Sequence, residues 1–179
     1  IMERDRMMTE GERRKFDDCR RRRRSGEPVS RIVGQRQFWG LPFSISPAVL
    51  DPRPETELLV ELVLAHVKKA GSKNNPLQIL DLGVGSGCIL AALLTELPAS
   101  QGFGVDMSFA AGAQARRNLG ALGLRDRATV LIGNWMDAFA PGSFDVIVSN
   151  PPYILTSDIS NLKDEVRVFD PKDALDGGV

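Results

Sequence analysis

The stretch Asp81-Leu82-Gly83-Val84-Gly85-Ser86-Gly87 decides how the rest of this 179-residue chain is read. Leu77, Ile79 and Leu80 precede it as an apolar run of strand length, and Ile89 to Leu94 follow it as an apolar run that starts a helix. Glycines at alternate positions let a backbone turn sharply from strand into helix and approach a ligand closely. A second strand-like run ends at Asp106, 19 residues beyond Gly87. At that spacing an acidic side chain accepts hydrogen bonds from both hydroxyls of a ribose. A dinucleotide fingerprint needs glycine where Cys88 stands, and a phosphate-binding Walker loop needs Gly-Lys-Ser/Thr, which does not follow. The pair of signals points to a nucleoside.

Strand-like and helix-like segments alternate outward from this stretch, at 77–82, 88–97, 102–106, 109–122, 128–132 and 144–149. That order predicts an α/β fold, a doubly wound, Rossmann-like parallel sheet with helices on both faces and its ligand beyond the strands' carboxyl ends. The residues just after each strand are therefore the candidates. Gly133-Asn134-Trp135-Met136-Asp137 follows the third strand, where Trp135 can pack against an adenine ring. Ser149-Asn150-Pro151-Pro152-Tyr153 follows the most apolar strand. The Asn150 side-chain oxygen and the Pro151 carbonyl can each accept one hydrogen of a planar NH₂ group, with Pro152 and Tyr153 flanking its flat face.

Ahead of the sheet, 9–24 reads as a polar helix capped by Thr9 and ended by Ser25, Gly26 and Pro28, and 31–46 reads as a β-hairpin around Gly40. Asp51-Pro52-Arg53-Pro54-Glu55-Thr56-Glu57 is a stiff loop leading into an amphipathic helix over 55–70, closed by Gly71. Three regions follow: a helical remnant at 1–30, a hairpin linker at 31–50 and the α/β domain at 51–179. The formal net charge is zero, yet eleven basic and seven acidic residues lie in the first 31 positions, so the head is basic and the body acidic. Much of that excess is the arginine run at 20–24, read as a solvated helix face. Cys19 and Cys88 lie far apart without CxxC spacing, so neither a disulfide framework nor a zinc site is expected, and with His66 the only histidine, histidine triads and multi-histidine metal sites are excluded. No apolar run approaches the roughly 20 residues that span a bilayer, and a cytoplasmic address is expected.

Asp81 to Gly87, Asp106 and Asn150 to Tyr153 together resemble the amino-methyltransferases, and most sharply the peptide-chain release factor glutamine methyltransferases, the HemK/PrmC family. The likeness extends through Gly26-Glu27-Pro28, Phe38-Trp39-Gly40, the Pro52–Glu57 loop, Glu165-Val166-Arg167, Asp170-Pro171 and Ala174-Leu175. It implies a Rossmann-like methyltransferase that uses S-adenosyl-L-methionine to methylate the glutamine of the Gly-Gly-Gln motif in class I peptide-chain release factors. By the same resemblance, Gly83, Val84, Gly85, Ser86, Gly87, Asp106, Trp135 and Asn150 contact the cofactor. Asn150, Pro151, Pro152 and Tyr153 are implied as catalytic and glutamine-binding, and the Pro52–Glu57 loop as shaping the substrate channel, with Arg53 and Glu55 as its substrate-binding residues. No metal and no membrane are implied. Transfer to a DNA or RNA base nitrogen is the competing expectation, disfavoured by the acidic body. The chain departs from the family where most of an N-terminal helical domain and the last strands of the sheet would stand, which predicts that strand 144–149 lies at an exposed edge.

Overall fold

A computed structural model describes residues 6–72 and 74–179. Helix α1 (Glu10–Arg24) begins at a capping box: the Thr9 side chain accepts from the Glu12 amide, and Glu12 accepts from the Thr9 amide at 2.8 Å. No α1 side chain is buried. Its arginine run is largely paired, Arg20 with Asp17, Arg21 with Asp18, Arg22 with Glu27 and Arg23 with Glu165.

The hairpin is shorter than expected because its first residues fold as a helix, α2 (Val29–Val33), which Gly34 ends in the left-handed conformation. Strands β1 (Gln35–Phe38) and β2 (Leu41–Ser44) then pair antiparallel across Trp39 and Gly40. Both turn residues have positive φ, 53° and 69°, which matches the twist of a tight hairpin. Pro54–Thr56 form a single 3₁₀ turn, so α3 (Glu57–Lys69) starts two residues later than the expected 55.

The central sheet comprises β3 (Gln78–Leu82), β4 (Gln101–Asp106), β5 (Ala128–Ile132) and β6 (Val146–Ser149), all parallel in the order β5-β4-β3-β6. Helices α4 (Cys88–Glu96) and α5 (Phe109–Ala121) make the crossovers from β3 to β4 and from β4 to β5. The chain then returns to the far side of β3, which puts the topological switch point between β3 and β6, and β6 at an edge.

Alternation along the strands sorts the core into two parts. Ile79, Val130 and Val148 meet α3, α4, α5 and the hairpin on one face. Gly102 and Gly104 let this layer come close, since a Cβ at Gly102 would lie 2.7 Å from Leu90 and one at Gly104 would lie 2.6 Å from Val84. Burying Leu90, Leu93 and Leu94 completely contributes about 1.5–3 kcal/mol each. The opposite face differs from the expected helix-covered one. Leu80, Leu82 and Val105 are met there by Phe139 and Phe144 from the connection between β5 and β6. That connection contains Pro141-Gly142 and bends through turns without a helical run, so aromatic side chains do the covering. Ile147 on this face remains half exposed.

After β6 come β7 (Ile154–Leu155), α6 (Asp164–Arg167) and β8 (Asp176–Gly178), with β7 and β8 forming a small parallel pair. Asp170 ties this segment to the front of the chain. Its carboxylate accepts from Arg31 at 2.6 Å, from Arg53 at 2.5 Å and from the Asp51 amide at 3.3 Å.

Candidate active site

Strand register brings four chain exits to one edge of the sheet. Leu82 lies beside Val105 and Ser149, and Asp106 lies beside Ile132, so Gly83, Met107, Gly133 and Asn150 leave together. The Ser149 hydroxyl donates to the Leu82 carbonyl at 2.8 Å and locks the two central exits side by side. A cleft opens over them, with Gly83, Val84, Gly85 and Ser86 on one wall, Asp106, Met107 and Ser108 on the next, and Gly133, Asn134 and Trp135 beyond. Asn150, Pro152, Arg53, Thr56, Pro171, Asp173 and Ala174 line the remaining side.

The glycines of the first wall divide their work. Gly83 and Gly85 have φ of +76° and +51°, and a Cβ at Gly83 would meet nothing within 4 Å, so the backbone there is bare towards open space. Gly87 does not line the cleft. Its φ of +81° lets it cap α4, and a Cβ there would sit 3.4 Å from the Ala115 Cβ, so it serves helix packing. Asn118, buried on α5, holds the loop by donating to the Ser86 carbonyl at 2.8 Å while it accepts from the Ser44 amide at 3.0 Å. Nothing in the first wall's own sequence points to Asn118. The available signal is an amide side chain in a helix interior, where asparagine is a poor helix former.

Asp106 is oriented by two backbone donors, the Gly85 amide and the Ser108 amide, each at 2.9 Å on a different carboxylate oxygen. Each oxygen keeps a lone pair for a ligand hydroxyl. Asp81, buried behind the loop, does not line the cleft. Burial pushes its carboxyl up to about 7; the Leu90 amide works against this, and the Asp106 charge adds a smaller contribution to the rise. Burial likewise pushes the Cys88 thiol up to about 12, so the one cysteine in the cleft wall is no nucleophile at neutral pH. Trp135 is half exposed beside the cleft rather than packed in a core, and its φ of 46° is a strained conformation for a bulky residue.

At the far end the candidate residues separate. Asn150 and Pro152 line the cleft, half-buried, whereas Pro151 and Tyr153 are exposed and do not line it. Asn150 donates from Nδ2 to the Thr56 hydroxyl at 3.4 Å. Gly177 of β8 packs against this motif from behind, where a Cβ would lie 2.9 Å from the Pro152 carbonyl oxygen and 3.0 Å from the Tyr153 Cα. Arg53 lines the cleft with its guanidinium committed to Asp170, and Glu55 is exposed in the 3₁₀ turn outside it. Thr56, Pro171 and Ala174, quoted in sequence only as parts of longer segments, and Asp173, not quoted at all, are cleft residues to which the sequence reading gave no individual role. They come from loops whose placement depends on contacts more than 90 residues apart in sequence. Among the described residues no group of three or more His, Cys, Asp or Glu side chains could hold a metal ion, both cysteines are free, and no helix is long and apolar enough to cross a membrane.

A parallel sheet with a bare glycine loop at its switch point and an oriented acid after the neighbouring strand defines a Rossmann-like domain with a cleft at the strands' carboxyl ends. The chain belongs to the methyltransferase small domain family, which it matches over residues 52–165. It is similar to the release factor glutamine methyltransferase of Rhodospirillum rubrum, 49% identical across 97% of this chain and 52% of that protein. It is similar as well to the protein of the same name from Bradyrhizobium diazoefficiens, 47% identical across 97% of this chain and 58% of that one. The chain thus spans about half the length of these curated relatives. Among solved structures, the catalytic domain of human METTL16 in complex with an RNA hairpin shares the fold, with a TM-score of 0.57 at 18% identity over 84% of this chain and 54% of that one.

Proposed function

We propose that this chain binds S-adenosyl-L-methionine and methylates the side-chain amide nitrogen of the glutamine in the Gly-Gly-Gln motif of class I peptide-chain release factors, in the cytoplasm. The observation that carries the proposal is the carboxamide of Asn150 in the cleft wall, one strand away from the bare glycine loop. The relatives named release factor glutamine methyltransferase support the substrate.

The residues present fit the cofactor. Gly83, Val84, Gly85 and Ser86 offer close backbone approach, the open lone pairs of Asp106 suit a ribose, and Trp135 with Asn134 offers a face and an amide for an adenine. When bound, S-adenosylmethionine supplies an electrophilic methyl group on a sulfonium. An amide nitrogen is a weak nucleophile because its lone pair is delocalised into the carbonyl. Asn150 Oδ1 then acts by accepting one amide hydrogen; the second is assigned to the Pro151 carbonyl, whose backbone must turn towards the cleft because Pro151 does not line it in the free chain, and the two acceptors together fix the nitrogen and favour its pyramidal form. As the C–N bond forms the S–CH₃ bond breaks and leaves a neutral thioether, and the methylated amide, now cationic and strongly acidic, gives its proton to water, so positioning and preorganised polarity carry the rate with no general base required before transfer. Pro152 borders the reacting group, and Tyr153, exposed beside it, is available to cover the flat face. Gly87 and Glu55 contribute through the fold around the cleft rather than by contact.

The test uses methyl-labelled S-adenosylmethionine with a release factor and its Gly-Gly-Gln to Gly-Gly-Ala version. Label should enter only the glutamine form, and Asn150→Ala should reduce transfer about 100-fold or more. Equal labelling of both forms would refute the proposed acceptor.

A further inference from the structure

Asn150 has a planar carboxamide whose two ends are nearly the same shape and opposite in hydrogen-bonding sense, an acceptor oxygen and a donor nitrogen. Which end meets a substrate NH₂ decides whether the contact attracts or repels. We infer that Thr56 is the positioning residue that holds the productive choice: its hydroxyl oxygen accepts a hydrogen bond from Asn150 Nδ2, so the end of the carboxamide turned away from substrate stays paired while Oδ1 meets the substrate NH₂. The inference rests on the functional reading above and deepens it, because a site oriented this way selects a substrate that presents N–H donors.

Several observations hold Thr56 in place. Its hydroxyl lies 3.4 Å from Asn150 Nδ2, across 94 residues of sequence. Both residues line the cleft. The Thr56 amide donates to the Arg53 carbonyl at 3.0 Å, which closes the turn, and Arg53 is anchored on the buried Asp170 at 2.5 Å. Asp170 is in turn gripped by Arg31 at 2.6 Å, with both side chains at most 5% exposed. As a β-branched residue Thr56 has few side-chain rotamers, so a fixed backbone gives a fixed hydroxyl. The bond is long, and its contribution is therefore orientation more than stability.

Thr56→Val keeps the shape and removes the acceptor, and Thr56→Ser keeps the acceptor. With a release factor as substrate, Thr56→Val should lower kcat about 10- to 100-fold while the Kd for S-adenosylmethionine stays within about threefold, and Thr56→Ser should recover kcat to within about threefold. Unchanged kcat in Thr56→Val, or equal loss in both variants, would overturn the inference. If the unsubstituted chain moves no methyl group, the functional reading fails separately, and NMR of the Asn150 side-chain amide then decides. Its two Nδ2 proton resonances, assigned by their loss in Asn150→Ala, should shift in Thr56→Val and return in Thr56→Ser. No shift in Thr56→Val would overturn the inference by that route too.

Discussion

At the residue scale, Asp81 is the residue whose position and chemistry diverge most. It opens the stretch that identifies the fold, yet it lies behind the glycine loop with its carboxyl pushed up to about 7, chiefly by burial. Well below the ordinary value of 3.8 the group is protonated in folded and unfolded chains alike. As pH rises the unfolded chain ionises at its ordinary value of 3.8 while the folded chain holds its proton, so stability falls across the window up to about 7. The full loss is on the order of 4 kcal/mol. Asp81→Asn should flatten this dependence: between pH 4 and pH 8 the Tm of the unsubstituted chain should drop roughly 10 °C further than the variant's. Parallel Tm curves would show that Asp81 ionises freely in the fold. Asp106, Asn134, Trp135 and Asn150 were legible in sequence as residues lining the cleft because each stands at, or within three residues of, the carboxyl end of a strand. The inward placement of Asp81, the exposure of Pro151 and Tyr153 and the contact of Thr56 with Asn150 were not, because side-chain direction depends on neighbours distant in the chain.

At the element scale, β8 is the least conspicuous strand and the one set hardest against the transfer motif. Gly177 admits no side chain there, because the atoms a Cβ would meet, at 2.9, 3.0 and 3.2 Å, are all backbone of Pro152 and Tyr153. Gly177→Ala should therefore displace that backbone and lower kcat at least tenfold while leaving the Kd for S-adenosylmethionine within about threefold. A variant with unchanged kcat would show that β8 yields instead of the motif. The long periodic elements were readable: the six strand and helix segments of the sheet domain lie within a few residues of their expected bounds, because hydrophobic period and flanking glycines set them locally. Two features escaped. Residues 29–33 close into a helix between Pro28 and Gly34, ahead of a hairpin that begins at Gln35. One sheet face is covered by Phe139 and Phe144 instead of a helix, a tertiary choice that the sequence between β5 and β6 does not announce.

At the scale of the whole molecule, the Arg31–Asp170–Arg53 cluster joins the segment before the hairpin, the loop ahead of α3 and the end of the chain around one buried carboxylate. Removing it leaves Arg31, whose side chain is 5% exposed, as a buried charge without its partner. Asp170→Ala should cost about 3–5 kcal/mol in denaturant unfolding, and both the Pro52–Thr56 and the Pro171–Ala174 walls of the cleft should loosen with it. A loss under about 1 kcal/mol would show that the cluster is solvated. No local pattern links positions 31, 53 and 170, whereas the sheet order and the cleft at its switch point follow from alternation and connection rules that a sequence displays directly. The most direct test of the central claim is mass spectrometry on a release factor and an adenine-containing duplex incubated together with this chain and S-adenosylmethionine. The account predicts one methyl group on the side-chain nitrogen of the Gly-Gly-Gln glutamine and none on the duplex. A methyl group on adenine, with the glutamine unmodified, would contradict it.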